Sequence, residues 1–127
     1  NHTIEDKEKV IELFSEVGRL FWLSDSKMNA FADFAASSHA FVFVIMEAMI
    51  ESGIYLGFQA QKATEIVTGV FEGAAALLET SGKHPATLKQ QISSPGGTTI
   101  AGLYALESAN VRKPIFDAMV ATVKRGH

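Results

Sequence analysis

The chain contains no cysteine, so it can carry neither a disulfide framework nor a thiolate metal site. That absence fits a cytoplasmic protein. Basic runs are missing too, and a net charge of -3 argues against nucleic acid or an anionic membrane as the main partner. No GxGxxG and no GxxxxGK[ST] occurs, so the 127 residues hold no dinucleotide or nucleotide phosphate loop of their own. There is also no GxSxG elbow and no order of residues that suggests a triad. The four histidines, His2, His39, His84 and His127, are scattered without an i,i+4 pair or a carboxylate at ligand spacing, and no metal site is expected. Long apolar runs are lacking as well. The most apolar stretch, 40–50, contains Glu47 and falls short of the roughly 20 residues of a spanning helix, which predicts a core helix and no membrane.

What is present describes an ordinary folded domain, 47% apolar and 20% charged, long enough to form a core without needing a partner for it. A mean hydropathy of +0.15 is nevertheless rich for a monomer and hints at an apolar surface buried in an oligomer. The opening NHTIEDKEK is charged and has no h-region, so it is not a signal peptide. It lacks a starting methionine, which suggests a piece of a longer protein.

Thr3 and Asp6 fit the cap of a first helix carrying Val10, Leu13, Phe14 and Val17 and stopping at Gly18. RLFWL, 19–23, reads as a lone strand, best explained as the torn edge of a sheet. A second helix is expected from Ser24 or Asp25 to Ala36, and a third from the interruption at Ser37 and Ser38 to about Gly53, buried nearly all round. Glu47 on it is either a paired buried acid or the one residue facing a cavity. The run 59–81 predicts a long helix with Ala63, Ile66, Val67, Val70, Phe71, Ala74, Leu77 and Leu78 on one face and Gly82 as its stop. Gly69 and Gly73 inside it each cost about 1 kcal/mol relative to alanine, which close packing of another helix, from this chain or a second subunit, would offset. Pro85 opens a helix to Ile92, another runs from Thr99 to about Ser108, and Pro114 opens the last, to Gly126. The total is six or seven helices and at most one strand.

The stretch SSPGGTTIAGLYAL, 93–106, carries the chemistry. Pro95, Gly96 and Gly97 break one helix, Thr98 and Thr99 are suited to cap the next, and the first amides of that helix point unpaired along the positive end of its dipole. A carboxylate or phosphate can bind there, and an ordinary interhelical turn has the same sequence features. His39 likewise admits two readings, a polar cap or satisfied imidazole, and a site residue.

The segment HPATLKQQISSPGGTTIAGLYALE, 84–107, resembles the signature of pyrroline-5-carboxylate reductases, with the proline, leucine, paired small residues, GG, second threonine, AGL and closing LE at the family's spacing. VIELFSEVGRLFWLSDSKMNAF, AFVFVIMEAMIESGIYLGF and GAAALLETSGKHP are similar to other passages of the family, so the likeness covers nearly the whole chain. It implies an all-α, interlocking dimerisation domain of the 6-phosphogluconate-dehydrogenase-like C-terminal type, over residues 25–127, with one residual strand near 19–23. Residues 1–24 would be the remnant helix and strand of an absent N-terminal Rossmann domain.

The resemblance further implies an oxidoreductase of proline biosynthesis, acting on a cyclic imine with NADPH or NADH held mainly by the absent domain. The loop of one protomer would close the site beside the nicotinamide of the other. In that reading Ser94, Gly96, Gly97, Thr98 and Thr99 bind substrate, the Thr99 hydroxyl meets the ring nitrogen as the catalytic group, and Ser37, Ser38 and His39 lie beside the cofactor. A cytoplasmic homodimer follows, larger homo-oligomers being left open, and this chain alone should be inactive. Where the family has GSGPA the sequence reads ASSHA, 36–40, which leaves room for a divergent paralogue using another imine, or inactive. A stand-alone helical oligomerisation module is the third alternative.

Overall fold

A computed structural model describes residues 8–12, 20–24, 27–93 and 97–126. Its elements are strands β1 (Glu8–Glu12) and β2 (Leu20–Ser24), followed by helices α1 (Met28–Tyr55), α2 (Ala60–Ser81), α3 (Pro85–Ser93), α4 (Gly97–Ser108) and α5 (Arg112–Gly126). Two units emerge, one of Asn1–Phe41 with Ile115–His127 and one of Val42–Pro114.

In the first unit β1 and β2 pair antiparallel, from Glu8 opposite Ser24 to Glu12 opposite Leu20. The first helix expected over 3–17 is therefore a strand at Glu8–Glu12, and the strand near 19–23 is not lone, since it pairs with that one. Val10 and Ile11 are β-branched and favour extended backbone, and pairing gives the amides and carbonyls of β2 the partners they require. Leu13, Phe14, Val17 and Gly18 lie outside the described residues.

The expected break at Ser37 and Ser38 is also absent, since α1 runs through both. Short polar side chains need not end a helix when they bond to the carbonyl four residues back. Ser38 does so to Phe34, and the His39 ring donates from Nδ1 to the Ala35 carbonyl at 2.8 Å. The Ser38 hydroxyl also reaches Met119 Sδ on α5, 3.4 Å away.

The second unit is organised by the corner between α1 and α2. Leu56 N–H donates to the Ser52 carbonyl and Phe58 N–H to that of Gly53, both at 3.0 Å, while Gly57 takes φ 112, a left-handed backbone that glycine accommodates. A Cβ on Gly53 would lie 3.1 Å from the Ala63 Cβ, so glycine lets α2 approach. Ala63 and Val67, 2% and 5% exposed, are the buried side chains of α2. That helix ends as anticipated: Gly82 has φ 67 and its amide donates to the Leu78 carbonyl. After α4, Asn110 at φ 59 makes a second left-handed stop, with Asn110 N–H on the Glu107 carbonyl and Val111 N–H on that of Leu106. Helix α5 begins at Arg112, two residues before Pro114, which is tolerated in a first turn because its missing N–H would have no acceptor there. The described residues thus form five helices rather than six or seven.

Very little apolar surface is buried within the chain. Among the described residues, the buried apolar side chains are Ala35, Ala63, Val67 and Leu88. The helix segment expected to be buried nearly all round leaves Phe43 61% and Val44 62% exposed. A core that needs no partner is therefore not what these residues form. Glu47 is exposed, so neither of its two readings is realised inside the chain. The continuity of α1 also removes the length argument against a membrane: Ala30–Tyr55 is long and apolar enough to cross one by length and composition alone. Against that, Glu47 and Glu51 would be costly in hydrocarbon.

Candidate functional site

The junction of α3 and α4 is built from both sides. Helix α3 packs against α4 and ends at Ser93, a buried residue whose hydroxyl donates back to the carbonyls of Lys89 and Gln90 at 2.9 and 3.1 Å. Helix α4 already includes Gly97 and Thr98, ahead of the Thr99 start that was expected. Thr98 and Thr99 are thus first-turn residues and not caps. The amides of Gly97, Thr98 and Thr99 lie in the first described turn of that helix. They sit at the positive end of the helix dipole. Gly97 and Thr98 are exposed, Thr99 is half-buried, and a Cβ on Gly97 would meet nothing within 4 Å. Space for a ligand therefore adjoins those amides. Ser94 and Gly96, also expected to bind substrate, lie outside the described residues, as does Pro95.

The residues expected beside a cofactor belong to the other unit. Ser37, Ser38 and His39 follow one another along α1 and are half-buried. The single proton of the Ser38 hydroxyl is directed at Phe34 and Met119, and His39 Nδ1 at Ala35, so these donors are turned to the protein. Among the described residues there is no group of three or more His, Asp or Glu side chains that could hold a metal ion.

Two features escaped the sequence reading. Arg112 grips Glu107 across the turn after α4, Nη2 to Oε2 at 2.7 Å and Nε to both carboxylate oxygens at 3.1 Å. The hydrogen bonds from Arg112 hold the Glu107 carboxyl below its ordinary pKa. The second is His84, whose Nδ1 accepts the Ala86 amide at 3.0 Å at the start of α3. The signal for the first was opposite charge flanking a short SAN turn; for the second it was a side chain with an acceptor just before Pro85 at a helix start.

The family described as pyrroline-5-carboxylate reductase dimerisation matches residues 25–127. The chain belongs to that family. It is 34% identical over 123 residues to a pyrroline-5-carboxylate reductase of Pisum sativum, covering 97% of this chain and 45% of that protein. The structure of 1-pyrroline-5-carboxylate reductase from Streptococcus pyogenes superposes with a TM-score of 0.78 at 35% identity, over 84% of this chain and 41% of that one. The Plasmodium falciparum pyrroline carboxylate reductase with NADP bound shares the fold, with a TM-score of 0.76 at 24% identity over 82% of this chain and 42% of that one. Residues 25–127 thus have the all-α fold expected of them, while the β1–β2 pair precedes the matched region. The chain spans less than half the length of the relatives it matches.

Proposed function

We propose that this chain is the dimerisation and substrate-loop portion of an NADPH-dependent pyrroline-5-carboxylate reductase, the enzyme of the last step of proline biosynthesis. The observation that carries the reading is the family match over residues 25–127, in whose signature segment Gly97 and Thr98 are exposed and a Cβ on Gly97 would meet nothing within 4 Å.

The substrate is a five-membered cyclic imine bearing a carboxylate. Its carboxylate would be held by the amides of Gly97 and Thr98, with Ser94 and Gly96 completing the clamp, and helped by the dipole of α4. The Thr99 hydroxyl would meet the ring nitrogen. When bound, the reduced nicotinamide supplies the hydride that adds to the C=N carbon, and the ring nitrogen keeps the proton of the iminium, so the product is a secondary amine. The described residues contribute orientation and exclusion of water rather than a strong acid or base. NADP in the Plasmodium falciparum relative supports NADPH as the reductant, held mainly by residues outside these 127.

The assembly is a homodimer in the cytoplasm, with no membrane or nucleic-acid partner. Its support is the family's dimerisation role together with the apolar surface that α1 and α2 leave uncovered. In the full-length protein Thr99→Ala should lower kcat/KM for pyrroline-5-carboxylate by about tenfold or more, the range for losing a partner to a buried polar group. Unchanged steady-state kinetics would place Thr99 outside the site.

A further inference from the structure

Helix α4 is apolar on every side. Between Thr99 and Glu107 it carries no charged residue, and Ile100, Leu103, Tyr104 and Leu106 fall at different angles around its axis. A helix of that kind belongs in an interior. Yet α4 has no buried residue: Ile100 is 54% exposed, Tyr104 75% and Leu106 50%, and its neighbour in the chain is α3. Its 12 residues are at the lower limit for a helix that stands by propagation alone. Gly102 in its interior costs about 1 kcal/mol more, and a Cβ there would meet nothing within 4 Å among the described residues. Helix α4 therefore needs a cover that the described residues do not supply.

We propose that the cover is a second copy of this chain, seated on the Ile100 and Tyr104 face, and that α4 is folded only while the two copies are associated. Two observations name the occupant. The residues matched by the dimerisation family, 25–127, include the whole of α4. The unit 42–114, to which α4 belongs, also leaves large apolar side chains open, from Phe43 and Val44 on α1 to Ile92 on α3. At about 100 Å² for each half-exposed large side chain, the open apolar area of that unit is on the order of 1,000 Å². A standard interface takes about 800 Å² of all atoms from each partner, so the amount suits a permanent dimer whose chains fold together. The consequence reaches the site, because the first described turn of α4 holds Gly97, Thr98 and Thr99. Association of two chains then completes the segment on which substrate is held, and dissociation switches it off.

The link to substrate rests on the function proposed above, whereas the cover on α4 does not. The test is sedimentation velocity with hydrogen exchange by mass spectrometry on the full-length protein, as wild type, Ile100→Gln and Tyr104→Lys. Both side chains are more than half exposed within the chain, so each change leaves the packing inside one copy in place. The dimer dissociation constant should rise about thirtyfold or more in Y104K, the scale of losing a central aromatic contact, and by less in I100Q. In the monomer that each variant yields on dilution, protection over residues 100–108 should fall at least about tenfold below that of dimeric wild type. Residues 63–67, closed off within the chain at Ala63 and Val67, should keep theirs. Turnover of pyrroline-5-carboxylate per chain should follow the dimer fraction. A monomeric wild type, or dimer affinity equal to wild type in both variants, would overturn the interface. A monomer that keeps 100–108 protected, or one that loses protection over 63–67 as well, would overturn the particular dependence of α4 on association. Monomer as active as dimer would overturn the switching. If wild type does not reduce pyrroline-5-carboxylate, the function reading fails, and sedimentation and exchange still decide what covers α4.

Discussion

The two halves of α2 carry the same kind of apolar face and meet different surroundings. In the first half Ala63 and Val67 are closed off by the corner at Gly53, where a glycine admits the neighbouring helix. In the second half Gly69 and Gly73 have nothing within 4 Å of a would-be Cβ, and Val70, Leu77 and Leu78 stay substantially exposed. Glycine costs a helix interior about 1 kcal/mol wherever it stands, so the second half carries a cost that no contact of these two glycines among the described residues offsets. The contrast separates what this chain folds by itself from what it holds open for another surface. In a member of a dimerisation family, a second copy is the surface that fits.

The largest effect that could break this contrast comes from filling the open half. In Gly69→Leu combined with Gly73→Leu the added Cβ atoms meet nothing within 4 Å among the described residues, so helix content should be retained while the dimer dissociation constant rises by about a hundredfold, read by sedimentation equilibrium. Retained dimer affinity would mean that the glycine face is not at the interface. A smaller effect distinguishes neighbours on the same helix. Val67→Ala should cost about 2 kcal/mol in denaturant unfolding because it empties a site closed within the chain, whereas Val70→Ala should act through dimer affinity. Equal behaviour of the two would erase the difference between the halves.

The smallest effect lies at the end of α4. Arg112 lowers the pKa of Glu107, so whatever the pair contributes is present above the ordinary glutamate pKa and disappears as pH falls through the lowered one. Arg112→Gln should therefore differ slightly from wild type in thermal stability near neutral pH and converge with it in acid. Both side chains are solvent-exposed, and salt should shrink the difference further.

Legibility in the sequence followed how many independent signals agreed. Helix α2 was readable to within a residue because its apolar period and Gly82 point to the same end. The division between α3 and α4 was readable because Pro95, Gly96 and Gly97 punctuate strongly, although Thr98 and Thr99 belong to α4 and do not cap it. By contrast, Val10, Leu13, Phe14 and Val17 satisfy a helical period by spacing alone, and a short apolar run such as KVI serves a strand equally well. Ser37 and Ser38 looked like a break because their side chains can compete with the backbone; bonding back along α1 removed the competition. Exposure of Phe43 and Val44 was not legible at all. A hydrophobic pattern says which side chains need covering and is silent on which chain covers them. His84 went unnoticed as a cap because histidine is outside the Ser, Thr, Asp and Asn set that usually fills that role.

The central claim is that the apolar faces of α1 and α2 are one side of an interface between two copies. Static light scattering of the 127-residue chain at micromolar concentration measures this directly: the account predicts twice the chain mass of 13.7 kDa, and a species of 13.7 kDa would contradict it.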